Sequence, residues 1–97
     1  MNFSVLISIY KKESPKYLDD CLKSILINQS IKPNEVVIIN DGEITLELKN
    51  VIINYKKKIP KIIVNHGYIE NKGLGFALNY GLNLCSNELV FRMDADD

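Results

Sequence analysis

Four short apolar runs, separated by stretches of helical periodicity, constrain the fold of this chain more than any other feature. The runs are FSVLISIY at 3–10, EVVIIN at 35–40, KIIVN at 61–65 and ELVFRM at 88–93. They are close to continuous in hydrophobicity and rich in β-branched residues. Strands buried on both faces of a parallel sheet have that pattern. After the first run, Ser14 is placed to cap a helix and Pro15 suits its first turn, and Leu18, Cys21, Leu22, Ile25 and Leu26 recur at helical spacing. A second helix is expected over about 45–58, with Leu48, Val51, Ile52 and Tyr55 on one face. A third carries Leu74, Ala77, Leu78, Gly81, Leu82 and Cys85 on one stripe, and the small Ala77 and Gly81 let it lie close to a sheet. The alternation predicts an α/β fold: a Rossmann-like, three-layer α/β/α arrangement of order βαβαβαβ. Its four-stranded sheet is mainly parallel, with right-handed crossovers. A length of 97 residues with 46% hydrophobic content allows one such domain and not two.

Charge and composition narrow the function classes. Twelve basic residues balance twelve acidic ones, which removes the electrostatic argument for nonspecific nucleic-acid binding. No apolar run approaches the roughly 18 residues of a membrane span. The start MNFSVLISIY lacks a basic leader and a small-residue cleavage site, so a cytoplasmic location is expected. Cys21 and Cys85 lie far apart, at a spacing that suits neither zinc nor a disulfide framework, and read as small core residues.

In a parallel α/β sheet the carboxyl ends of the strands lie along one edge, and ligands bind there. Polar residues gather at those ends: Ser8 and Tyr10 on the first strand, Asn40 and Asp41 on the second, Asn65 and His66 on the third, and Asp94, Asp96 and Asp97 on the fourth. In an extended chain Asp94 and Asp96 point to the same side, about 7 Å apart at their alpha carbons. Two such carboxylates suit one hard divalent cation, magnesium or manganese, with coordination positions left for water and substrate phosphates. The other reading is a solvated acidic tail. Asp41 before Gly42 is either a turn residue or an acceptor for a base N–H or a ribose hydroxyl. NKGLG lacks both the P-loop and the dinucleotide glycine patterns, so its glycines read as serving the turn and helix packing, while Lys72 is within reach of an anion. His66 reads as a surface residue, and Lys56, Lys57 and Lys58 as a solvated helix end that complements the dipole.

Taken together, SVLISIY, YLDDCLKSILINQS, EVVIINDG, NKGLGFALNYGL and ELVFRMDADD, in that order and spacing, resemble the nucleotide-binding half of the family-2 glycosyltransferases, which have the type-A glycosyltransferase fold. The resemblance spans the chain. It implies a single domain, 1–97, that binds a nucleotide-diphosphate sugar (UDP-, GDP- or dTDP-linked) with Mn2+ or Mg2+. It assigns Ser8 and Tyr10 to the nucleoside pocket, Asp41 to the base or ribose, and Asp94 and Asp96 to the D-x-D motif. Asp96 is the direct metal ligand in this assignment, and Asp94 stands near both ribose and metal. The chain departs from the family pattern at Asn40, where an aspartate is common, at Glu43 and Ile44, where serine and threonine are usual, and at Leu78, where arginine is common. Lys72 is a candidate to compensate for that arginine.

Family members continue past this motif into an acceptor-binding region with the catalytic base. The chain is therefore expected to be a truncated type-A fold, a fragment inactive alone, with no catalytic residue of its own; Glu13 and His66 are nominees without motif support. The intact enzyme is expected to transfer a sugar to a glycan or lipid-linked acceptor with inversion, in polysaccharide or cell-surface glycan synthesis, peripheral to the membrane. Two alternatives remain in view. A nucleotidyltransferase would carry a glycine-rich basic loop after the first strand, where KKESPK has no glycine. A receiver-like cation-binding scaffold would end its third strand on aspartate, where Asn65 stands. Strand 88–93 is expected to be an exposed edge and a route to self-association.

Overall fold

The structure, a computed structural model, describes residues 2–95. Its elements are β1 (Phe3–Ile9), α1 (Pro15–Lys23), a π-helical turn (Ser24–Asn28), β2 (Glu35–Asp41), α2 (Leu46–Lys58), β3 (Ile63–Tyr68), α3 (Leu74–Leu82) and β4 (Leu89–Arg92). All strand pairs are parallel and the sheet order is β3-β2-β1-β4.

Local chemistry explains the helix starts. The Ser14 hydroxyl accepts from Tyr17 N–H at 3.3 Å, with Pro15 in the first turn. The Thr45 hydroxyl accepts from Leu48 N–H at 3.2 Å. Each cap satisfies an amide that the helix itself leaves without a partner. Lys56, Lys57 and Lys58 occupy the last turn of α2, where positive charge meets the negative end of the dipole.

The sheet is covered on both faces. On one, α1 and α2 pack Leu18, Cys21, Leu22, Leu48, Ile52 and Tyr55 against Val5, Ile7, Ile9, Val36 and Ile38. On the other, Ala77 of α3 meets Leu6, Val37 and Ile39. A Cβ at Gly81 would run into the Leu6 and Ile39 side chains, so α3 lies too close to the sheet there for any larger residue. At the amino edge, Glu35 accepts from the Ser4 hydroxyl at 2.8 Å, from Ser86 N–H at 2.8 Å and from the Ser86 hydroxyl at 3.0 Å. That network ties the α3–β4 connection to β1 and β2.

Several boundaries differ from the sequence expectation: β2 extends to Asp41 and β4 is confined to Leu89–Arg92. β3 begins two residues later than 61 and runs on to Tyr68, because its ladder with β2 continues through Asn40↔Gly67 and Asp41↔Tyr68. α3 ends at Leu82, which leaves Cys85 half-buried beyond the helix, and Leu74 and Leu82 are exposed. Tyr10 lies just past β1. β4 is an edge of the sheet, with Leu89 and Phe91 exposed and Phe91 edge-on to Phe3 at 5.4 Å. Among the described residues no helix is long and apolar enough to cross a membrane.

Candidate functional site

The chain leaves β1 toward β2 on one side and returns after β3 to place β4 on the other. The crevice between the carboxyl ends of β1 and β4 is thus a topological switch point, where open α/β sheets bind ligands. A cavity of about 390 Å3 lies there. It is lined by Ser8 and Tyr10 from the end of β1, Asp41 from β2, Asp94 and Ala95 after β4, Asn71, Gly73 and Leu74 at the start of α3, and Glu13. Four of the residues singled out in the sequence, Ser8, Tyr10, Asp41 and Asp94, therefore meet in one place.

Asp41 is the most constrained of them. It is 5% exposed and its carboxylate accepts four hydrogen bonds. Oδ1 accepts from the Tyr68 hydroxyl at 2.8 Å and Lys72 N–H at 2.7 Å. Oδ2 accepts from the Asn71 amide at 3.1 Å and Gly73 N–H at 2.9 Å. The Asn71 amide also donates to the Asp41 carbonyl at 3.1 Å. Four donors match the four lone-pair sites of a carboxylate, so Asp41 is a clasp holding the β3–α3 loop against the end of β2. A nucleotide that reads this carboxylate shares or displaces one of these donors. Burial, the hydrogen bond to Asp41 and that group's negative charge push the Tyr68 phenol above its ordinary pKa.

Gly42 and Gly73 flank the clasp with φ of 85° and 94°, backbone that L side chains rarely adopt. A Cβ at Gly42 would lie 2.9 Å from Asn71 N, so glycine is also needed there for close approach. Sequence reasoning gave Tyr68 and Asn71 no role. Asn71 carried a signal, an asparagine in a glycine-containing turn just before a helix. Tyr68 carried none.

Lys72 enters the clasp through its backbone only. Its ammonium lies 4.7 Å from the centre of the Phe76 ring, and it is not among the residues lining the cavity. His66 is an exposed residue within β3. Asn65 donates to the Ile38 carbonyl and to Asn40 Oδ1, each at 2.9 Å, so both asparagines serve the sheet. Glu13 lines the cavity half-buried.

Asp94 is exposed at the cavity, and a carboxylate there fits a hard cation as one oxygen ligand. Asp96, its expected partner, lies outside the described residues. Among the described residues no group of three or more histidine, cysteine, aspartate or glutamate side chains is arranged to hold a metal ion. The residue between the two aspartates, Ala95, is 2% exposed and packs into the α1-side core. The chain is thus anchored in the core directly after Asp94.

A doubly wound parallel half-sheet with polar residues of three strand ends around its switch point is the fold of a nucleotide-binding α/β domain. Comparison with known proteins is more specific. The family model described as "Glycosyl transferase family 2" matches residues 4–97, and the chain belongs to that family. The UDP-Gal:alpha-D-GlcNAc-diphosphoundecaprenol beta-1,3-galactosyltransferase of Escherichia coli is 46% identical over 98% of the chain and 34% of the relative. The amylovoran biosynthesis glycosyltransferase AmsE of Erwinia amylovora is 44% identical over 98% of the chain and 35% of the relative. The chain thus spans about a third of the length of these curated relatives. Among solved structures, the mannosyltransferase PcManGT of Pyrobaculum calidifontis, in complex with GDP-Man and Mn2+, superposes with a TM-score of 0.78 at 23% identity, over 98% of this chain and 27% of that one. S. aureus TarS superposes with a TM-score of 0.74 at 24% identity, over 99% of this chain and 17% of that one. These two establish the type-A glycosyltransferase fold expected from the sequence.

Proposed function

We propose that this chain forms the donor-binding part of a sugar transferase that takes a nucleotide-diphosphate sugar and passes the sugar to an acceptor hydroxyl. The carrying observation is the convergence of Ser8, Tyr10, Asp41 and Asp94 on one cavity at the switch point of a family-2 chain. The cavity volume, about 390 Å3, is that of a small-molecule site. Tyr10, 40% exposed at its rim, offers an aromatic face to a base. The Ser8 hydroxyl offers a hydrogen bond to the nucleoside, and Asp41 engages it by sharing or exchanging one of its four donors. Asp94, together with Asp96, would hold Mn2+ or Mg2+. When bound, that cation neutralises charge on the diphosphate and on the leaving nucleoside diphosphate.

The names of the relatives, a galactosyltransferase acting on a diphosphoundecaprenol-linked sugar and an amylovoran biosynthesis enzyme, support a glycan or lipid-linked acceptor. In this reading transfer occurs with inversion, at the cytoplasmic face of a membrane. The catalytic base belongs to the part of such enzymes beyond the donor half, so the chain alone binds donor without turning it over. Isothermal calorimetry with UDP, GDP and dTDP, each with and without Mn2+, tests the reading. Metal-dependent binding of at least one is expected. A folded chain that binds none of them with Mn2+ would refute it.

A further inference from the structure

The segment bearing Asp94 is held partly by the sheet and partly by a helix. β4 pairs with β1 as far as Leu6↔Arg92, and one more backbone bond follows, from Met93 N–H to the Leu6 carbonyl at 3.0 Å. From there the chain leans on α1. The Cys21 thiol lies 3.3 Å from Met93 Sδ and 4.0 Å from the Asp94 carbonyl oxygen. Ala95 packs into the cluster that contains Leu18, Cys21 and Leu22. Cys21 of α1 is thus in direct contact with Met93 and Asp94, and Ala95, the next residue, is buried in the same core cluster.

A thiol is a weak donor, and its contact with a thioether is soft. The value of Cys21 here is its volume. It is 3% exposed in a packed core, where a change of one or two carbon atoms must be absorbed by the neighbours. The neighbour on this side is the backbone that aims the Asp94 carboxylate at the cavity.

We propose that Cys21 is a positioning residue for Asp94: the size of the side chain at this place on α1 sets where Asp94 stands, and so how tightly the site holds a divalent cation. The proposal rests on the donor-site reading above. Residues that orient metal ligands commonly alter metal affinity about 10-fold to 100-fold when replaced. A purely structural core residue instead lowers stability without a selective effect on metal.

The test is Mn2+ uptake by the chain, read as loss of the free-ion electron paramagnetic resonance signal beyond that caused by the same concentration of nucleotide without protein, in the presence of UDP and, separately, GDP. Cys21→Ala and Cys21→Val are compared with the unsubstituted chain and with Leu48→Ala, a control in the same core cluster but on α2. Circular dichroism confirms that each variant is folded under the assay conditions. The Cys21 variants are expected to weaken Mn2+ binding about tenfold, while Leu48→Ala, though less stable, holds Mn2+ as the unsubstituted chain does. Equal weakening by the Cys21 and Leu48 variants overturns the proposal, and so do Cys21 variants that bind as the unsubstituted chain does. An unsubstituted chain that takes up no Mn2+ with either nucleotide sinks the donor-site reading and this inference with it.

Discussion

Replacing Asp41 with asparagine tests the clasp most sharply, because it changes charge and one acceptor while keeping shape. The two oxygens of Asp41 each face one backbone amide: Oδ1 faces Lys72 N–H at 2.7 Å and Oδ2 faces Gly73 N–H at 2.9 Å. An asparagine presents one oxygen and one NH2. The Tyr68 hydroxyl can rotate and the Asn71 amide can flip, but a backbone N–H can do neither. Whichever way the new amide turns, one N–H meets a donor. An unsatisfied buried donor costs about 1–3 kcal/mol, and the remaining bonds lose their ionic character. A total near 2 kcal/mol corresponds to a melting temperature lower by roughly 8–16 °C for a domain of this size. Tyr68→Phe removes a single rotatable donor and should cost about 1 kcal/mol. Thermal melts followed by circular dichroism at neutral pH give both values. Asp41→Asn melting within about 2 °C of the unsubstituted chain, or less destabilised than Tyr68→Phe, would refute the claim that this carboxylate holds the loop.

Other expectations follow from the edges of the sheet. Burial pushes the Glu35 pKa up, but the Ser86 N–H, the Ser4 hydroxyl and the Ser86 hydroxyl together outweigh it, and the group titrates below its ordinary value of 4.5. Its stabilisation is therefore full above pH 4.5 and fades as pH falls through the lower folded value. Glu35→Gln should flatten the acid limb of stability against pH in urea titrations, and an unchanged limb would contradict the assignment. A Cβ at Gly67 would stand 2.7 Å from Asn40 Cβ and 2.8 Å from the Asn40 carbonyl oxygen. Gly67→Ala should thus force β3 away from β2 and lower stability by about 1–3 kcal/mol, measured by denaturant unfolding. The β4 edge, with Leu89 and Phe91 exposed, should pair with a second copy of the chain. Light scattering is expected to report association that Phe91→Lys weakens, whereas a strictly monomeric chain at high concentration would refute it.

Much of this architecture was legible in the residues because burial on both faces leaves strands such as VLISI and VVII with almost no polar positions. The helix cap at Ser14 was equally plain, since its chemistry is local; Thr45, read as the first helical residue, proves to be the cap just before it. β3 was less so. Its second half, HGY, lies on an edge strand with His66 and Gly67 exposed, and the ladder to Asp41 together with the packing and hydroxyl of Tyr68 keeps it extended. The α3 stripe was overdrawn because helical spacing marks a face without saying how much of it is covered; Leu74 and Leu82 stay exposed. At the site, Ser8, Tyr10, Asp41 and Asp94 were legible as polar residues at strand ends. The clasp was not. Tyr68 and Asn71 reach Asp41 from about thirty positions away, a pairing that exists only once β3 has docked on β2. Ala95 was hidden for a similar reason, since its burial exists only once the core cluster around it has assembled.

The central claim is that a nucleoside diphosphate docks through a cation in the crevice between β1 and β4. Paramagnetic broadening of amide resonances, recorded as Mn2+ is added to the isotopically labelled chain with UDP or GDP, tests it residue by residue. The amides of Ser8, Tyr10 and Asp94 should broaden first, while those of Ser4, Glu35 and Ser86, at the opposite edge of the sheet, stay sharp. Broadening centred on that opposite edge, or on the acidic pair Asp19 and Asp20 of α1 with the crevice untouched, would contradict the account.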